Sequence, residues 1–174
     1  MAVRHLWLVR HGEAVPDQSD LTEAGRQQAS LLGARLAGLP VEAISHSPKP
    51  RALRTAQIVA RHFPDVPVRE VEELDDQVPT DDPGVSAAMI TRFTSPVADE
   101  IHELVITHNF QVGWFLRDAY AAPPERFRVA NQCNTGVTLI RYPAGQVPRV
   151  ILVNDLTHLP AELRWTGFPP ELRP

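Results

Sequence analysis

The stretch Leu6-Trp7-Leu8-Val9-Arg10-His11-Gly12-Glu13 decides the fold. Its apolar run, stopped by an arginine, a histidine and a glycine, predicts a short strand covered on both faces. A strand end holds a side chain rigidly, and arginine with histidine can grip and attack a phosphate. Leu104-Val105-Ile106-Thr107 is a second such run, and it too ends in a histidine, His108.

Between and around these strands the sequence alternates. Leu21–Ala37 reads as a helix, with Gly25, Ala29, Leu32 and Leu36 at helical spacing, Asp20 or Thr22 to cap it, and Gly38 with Pro40 to end it. Ala43–Ser45 is a short strand. Ser47-Pro48 reads as the cap and first turn of a helix over Pro50–His62, whose stripe is Ala52, Ala56, Val59 and Phe63. Val66–Val71 is a strand interrupted by Pro67, which suggests an edge position or a short pairing. Glu72–Gly84 is an acidic loop, followed by a short helix over Val85–Phe93. Asn109 is positioned to cap a helix with the face Val112, Phe115, Leu116, Ala119 and Tyr120. Gly136–Tyr142 and Val150–Val153 are joined closely enough for an antiparallel hairpin. The tail beyond Leu159, with Pro160, Pro169, Pro170 and Pro174, reads as irregular. This order predicts an α/β fold with a largely parallel sheet and helices on both faces, in one domain over residues 1–174.

Composition narrows the function. The 174 residues are 43% hydrophobic and 22% charged, with a net charge of -4, so a general nucleic-acid binder is not expected. The single cysteine, Cys133, rules out an internal disulfide and a cysteine-rich zinc site. The start is too short in apolar residues for a signal peptide, and no run approaches a membrane span, so a cytoplasmic protein is expected. The 17 prolines, about twice the average share, mark stiff connections.

Ligands of such sheets bind beyond the carboxyl ends of the strands. Topology can therefore gather Arg10, His11, Arg51 and His108 from distant parts of the chain. Guanidinium forks bind phosphate oxygens, and helix starts near Arg51 and Asn109 add positive potential. His11 can attack phosphorus if one ring nitrogen is bare, and three nearby cations would keep it so. His108, held protonated, could donate to the same phosphate. A carboxylic acid from the Glu72–Asp82 loop would protonate the leaving oxygen. Metal-free chemistry is expected, because no histidine pair has zinc-site spacing. His5, His46, His62, His102 and His158 are assigned structural roles.

On these residues the chain resembles the histidine phosphatase (phosphoglycerate mutase-like) superfamily, in its small single-domain branch. The resemblance rests on Leu8-Val9-Arg10-His11-Gly12-Glu13, on Leu21–Ala29, on Ser47-Pro48-Lys49-Pro50-Arg51-Ala52-Leu53-Arg54-Thr55-Ala56 and on Val105-Ile106-Thr107-His108. It implies a three-layer sandwich around a mostly parallel mixed sheet with one antiparallel strand. It implies His11 as the phosphorylated nucleophile and Arg10, Arg51 and His108 as the phosphate pocket. Leu74-Asp75-Asp76-Gln77-Val78-Pro79 is similar to the family's L-x-E-G-x-P loop, which makes Asp76 the expected proton donor and Glu73 the runner-up. Asn109 stands where many members have glycine, and Asp17 where many mutases have asparagine. Mutases of this family carry basic insertions between the second arginine and the second histidine. Here that segment is short and its loop acidic, which disfavours polyanions. The expectation is a cofactor-free phosphatase that releases inorganic phosphate from a phosphorylated small molecule or phosphoprotein, without nucleic-acid or membrane partners. A mutase and a non-catalytic phospho-ligand binder are the alternatives.

Overall fold

The computed structural model describes residues 2–173, so Pro174 lies outside them. Six strands, β1 (Val3–Arg10), β2 (Val41–His46), β3 (Val68–Glu70), β4 (Ile101–Thr107), β5 (Val137–Pro143) and β6 (Arg149–Asp155), form one sheet in the order β3-β2-β4-β1-β5-β6. β1, β2, β3 and β4 pair in parallel, while β5 is antiparallel to both β1 and β6. β6 thus runs with β1, and β5 is the single reversed strand.

β1 lies inside the sheet because its side chains feed two cores. Leu6 and Leu8 pack with Met89, Phe93, Val112 and Phe115, from α3 (Pro83–Thr94) and α4 (Asn109–Ala119). Trp7 and Val9 pack on the other face with Leu32, Leu36, Ala52, Ala56 and Val59, from α1 (Glu23–Leu36) and α2 (Pro50–Ala60). Helices therefore cover both faces, as a sheet built of continuous apolar runs requires. Each fully buried leucine or valine of these layers contributes roughly 1.5–3 kcal/mol. Among the described residues, no helix is long and apolar enough to cross a membrane.

Several local expectations change. Thr22, not Asp20, caps α1, accepting the Gly25 N–H. Asp20 instead pairs with Arg26. Ser47 does not cap α2; that helix starts at Pro50 with Lys49 before it, and no side chain caps it. Asn109 is the first residue of α4 rather than its cap. Tyr120 is 65% exposed, because α4 ends at Ala119 and the chain turns away. α3 starts at Pro83, capped by Asp82, whose side chain accepts the Val85 N–H. A 3-10 turn at Glu72–Leu74 opens the acidic loop, and another spans Pro124–Val129. The tail is less irregular than its prolines suggest: α5 (Ala161–Arg164) and a 3-10 turn at Pro170–Leu172 lie in it.

Candidate active site

The carboxyl ends of three parallel strands are stitched together. His11 N–H donates to Thr107 O (3.0 Å), just past β1 and at the end of β4. Ser47 N–H, just past β2, donates to Ile106 O (3.0 Å). Thr135 N–H closes on Arg10 O (2.9 Å), and Asn134 Nδ2 donates to His11 O (2.8 Å). The loop after β1 also meets the first turn of α1 at van der Waals range. A Cβ on Gly12 would stand 2.6 Å from Gly25 O, and one on Gly25 would stand 2.1 Å from Glu13 O. Both positions need glycine for this approach. Glu13 completes the junction: its N–H donates to Gln28 Oε1, and its carboxylate accepts from Thr22 Oγ1.

These ties present Arg10, His11, Arg51, Asp76 and His108 around one cavity of about 170 Å³, with Gln18, Asn109 and Phe110 also lining it. All five residues singled out from the sequence are there. His11 and His108 are almost fully buried and meet edge to face, ring centroids 5.1 Å apart. His11 Nδ1 lies 2.7 Å from Gly12 O, a carbonyl, so that nitrogen carries the proton. Nε2 is left with a lone pair, which accepts Arg51 Nε–H at 3.1 Å. Arg10 is fixed through Nη1 to the carbonyls of Gln132 (2.8 Å) and Gly167 (3.0 Å).

His11 is held far below the usual histidine range, first by burial and then by His108 and Arg10, with Arg51 a smaller contributor. The expectation gave this work to neighbouring cations; burial is the larger cause. His108 is pushed down to about 2 by burial, then by Arg51, Arg10 and Lys49. In the free protein these causes favour the neutral ring over the protonated donor of the expectation. Arg10 is lowered by burial, with Asp76 opposing.

The acidic loop reaches the site through two anchors. Thr107 Oγ1 donates to Leu74 O (2.9 Å), and Gln111 Nε2 donates to Gln77 O (2.8 Å). Asp76 sits between them, in an ion pair with Arg51 and 3.6 Å from His108 Nδ1. Glu73 does not line the cavity; it pairs with Arg92. Asp75 pairs with Lys49. Asp17 turns into its own loop, accepting from Ser19 N–H and Oγ, so it brings no charge to the cavity lining. Asn109 accepts Gln132 N–H (2.7 Å) and thereby supports the carbonyl that holds Arg10.

Two contributors were missed in the sequence. Ser47 Oγ lies 2.7 Å from His108 Nε2. The tail returns to the site at Gly167, and Gln28 Nε2 holds it by donating to Leu163 O and Thr166 Oγ1. The Ser-Pro pair signalled a turn but not its target. The tail carries no periodicity that would have revealed its contact.

A buried pair of histidines, two arginines and one carboxylate thus line a single cavity at the carboxyl ends of the strands. The family follows: the profile of the histidine phosphatase superfamily (branch 1) matches residues 6–93, and the chain belongs to that superfamily. The mitochondrial serine/threonine-protein phosphatase Pgam5 of Caenorhabditis briggsae is 31% identical over 185 residues, covering 91% of this chain and 65% of that protein. PGAM5 of Homo sapiens is 31% identical over 175 residues, covering 84% and 61%. The chain thus spans somewhat under two thirds of these relatives. A phosphoglycerate mutase structure from Plasmodium falciparum superposes with a TM-score of 0.72 at 25% identity, over 92% of this chain and 96% of that one. A phosphoserine phosphatase structure from Entamoeba histolytica does so at 0.68 and 20% identity, over 90% and 99%, a likeness of fold.

Proposed function

We propose that this chain, acting as one histidine phosphatase domain over residues 1–174, hydrolyses phosphomonoesters through a phosphohistidine on His11. The observation that carries this is the state of the His11 ring: Nδ1 is tied to Gly12 O, and Nε2 offers its lone pair to the cavity between two guanidiniums.

In the first step Nε2 attacks phosphorus and the ester P–O bond breaks. Arg51 Nε–H moves from His11 Nε2 to a phosphate oxygen, and Arg10 holds another oxygen. Asp76, paired with Arg51 in the free protein, occupies the place of an anion; an entering phosphate takes that guanidinium over. Asp76, freed from Arg51, takes a proton from solvent and passes it to the leaving oxygen as the ester bond breaks. In the second step water attacks the phosphohistidine, Asp76 accepts the water proton, and inorganic phosphate departs. Positioning and charge supply most of what phosphoryl transfer needs, and no cofactor enters these steps.

For substrate we propose phosphoserine or phosphothreonine side chains of proteins. A cavity of about 170 Å³ takes a phosphoryl group and its first carbons, leaving a bulky body outside. The serine/threonine-protein phosphatase names of the relatives point the same way. A cytoplasmic location stands as a proposal beside their mitochondrial names, and localisation of the full-length tagged protein decides between the two.

The test is a rapid-quench assay of wild type and His11→Ala with labelled phosphoserine peptides, a phosphorylated-metabolite panel and p-nitrophenyl phosphate. Expected are an acid-labile phosphoenzyme and turnover in wild type only. Turnover surviving in His11→Ala overturns the mechanism. Phosphate binding without turnover in wild type makes the protein a binder, and dependence on a bisphosphorylated cofactor makes it a mutase. Metabolite turnover far above that of every phosphopeptide overturns the substrate class.

A further inference from the structure

The two histidines at the cavity have the same chemistry available to them, and each needs its ring proton on a particular nitrogen. For His11 a backbone carbonyl decides. For His108 the neighbour is Ser47, which is fully buried at the end of β2. A hydroxyl both donates and accepts, so the direction of this bond has to be worked out from the rest of its surroundings.

Ser47 Oγ has a second partner, the N–H of Lys49 at 3.2 Å, in the turn that Pro48 makes. That bond uses an oxygen lone pair. Suppose His108 Nε2–H donated to Ser47 Oγ. The hydroxyl proton, fully buried, would then have no acceptor. His108 Nδ1 would also turn a bare lone pair toward Asp76 Oδ2, 3.6 Å away, and toward any anion entering the cavity. Reverse the bond and both faults disappear. Ser47 O–H donates to His108 Nε2, Ser47 Oγ accepts Lys49 N–H, and His108 Nδ1 carries a proton. Nδ1 is buried and has no hydrogen-bond partner in the free protein. A buried donor left unpartnered is destabilising, and a phosphate oxygen in the cavity would relieve it.

We propose that Ser47 is a positioning residue that fixes His108 as its Nδ1–H tautomer, so that a neutral histidine presents a donor to the phosphate. The cavity then holds two neutral imidazoles set in opposite senses, His11 with a lone pair for phosphorus and His108 with an N–H for oxygen. The charged groups around His108 are Arg10 at the end of β1, Lys49 and Arg51 at the start of α2, and Asp76 on the acidic loop. The three cations keep His108 from gaining a second proton, so donation depends on the tautomer alone. The inference rests on the reading of His108 as a phosphate ligand, and the test separates the two.

The experiment records long-range proton–nitrogen NMR correlations of the histidine rings in wild type, Ser47→Ala, Ser47→Thr and His108→Ala, with inorganic phosphate affinity measured on each. In wild type at neutral pH, His108 is expected as the Nδ1–H form. Ser47→Ala is expected to mix the tautomers and weaken phosphate binding roughly tenfold, the loss of one hydrogen bond of about 1–1.5 kcal/mol. Ser47→Thr keeps the hydroxyl and is expected to restore both readouts, while His11 keeps its Nδ1–H form in both Ser47 variants. An Nε2–H or doubly protonated His108 in wild type overturns the inference without any variant having to fold. So does an unchanged tautomer and phosphate affinity in Ser47→Ala when His108→Ala has lost binding. If His108→Ala binds phosphate as wild type does, the ligand reading of His108 fails instead.

Discussion

The same two strands carry a histidine pair at each end. At their carboxyl ends stand His11 and His108, one residue past β1 and β4. At their amino ends stand His5 and His102, direct register partners across the two strands. The upper pair meets edge to face at 5.1 Å; the lower pair stacks flat, centroids 4.1 Å apart and planes within 9°. The upper pair is buried among guanidiniums, at the starts of α2 and α4. The lower pair has a carboxylate beside it, with His5 Nε2 2.8 Å from Glu100 Oε1, and the Trp7 indole donates to His102 Nδ1 at 3.2 Å. His5, Glu100 and His102 bring possible ligand atoms within 4.8 Å of one another. Strand polarity makes the difference. Parallel strands followed by helices deliver helix N-termini to one end only, and there positive potential gathers.

The largest expected effect breaks this contrast directly. His11→Ala should lower phosphatase turnover at least about a thousandfold, since it removes the proposed nucleophile, while His5→Ala should change it by less than about twofold. Steady-state assays on one phosphopeptide measure both. Comparable losses at the two ends would mean that the lower pair also takes part in the reaction.

Next comes the pH dependence of stability. His11 and His108 are both depressed when folded, His108 from 6.5 to about 2. Below pH 6.5 the unfolded chain takes up protons that these folded sites refuse. Their stability contribution is therefore whole above 6.5 and is lost as pH falls toward the folded values. At about 1.4 kcal/mol per unit for each group, the fall between pH 6.5 and 5 is on the order of a few kcal/mol. Urea midpoints across that range should drop steadily in wild type and less steeply in His108→Asn. His158, pushed down to about 4 by burial and then by Arg35, adds to the fall in both proteins and leaves their difference intact.

How much of this could be read in advance follows from where each interaction is encoded. Continuous apolar runs gave β1 and β4, and helical spacing gave α1 and α4, because burial on regular elements leaves a periodic trace. Arg10, His11, Arg51 and His108 were legible because they sit at the ends of such elements. Asp76 was placed by resemblance, and Thr107 and Gln111 show physically why its loop comes to the cavity. Ser47 was read as a cap because a Ser-Pro pair has that local meaning. Its bond to His108 spans 61 positions, and nothing local could reveal it. The tail failed for the same reason: its hold on Arg10 runs through the Gly167 carbonyl, and a backbone atom leaves no mark on residue type.

That tail supplies a smaller test confined to the upper end. Gly167 has φ of +66°, and a Cβ there would stand 1.8 Å from Asn134 Oδ1. Gly167→Ala must therefore shift the carbonyl that steadies Arg10. A stability loss of about 1–3 kcal/mol and a raised KM for phosphopeptide are expected, with the nucleophile still labelled by substrate. An unchanged KM would show that Gln132 O holds Arg10 unaided.

The smallest effect belongs to the lower end. Glu100 is more than half exposed, so its bond to His5 competes with water and is screened by salt. Glu100→Gln keeps the shape and a hydrogen-bonding oxygen while removing the charge. Its effect on the urea midpoint should correspond to no more than about 0.5 kcal/mol, and turnover should not move. A charge change at the upper end falls beside the Arg51 guanidinium at the cavity, so Asp76→Asn should lower turnover several-fold or more. If Glu100→Gln cost more stability than expected, the stacked pair would be a structural clamp between β1 and β4 that depends on that carboxylate. The two ends would then differ in the kind of work their histidines do, rather than in whether they do any.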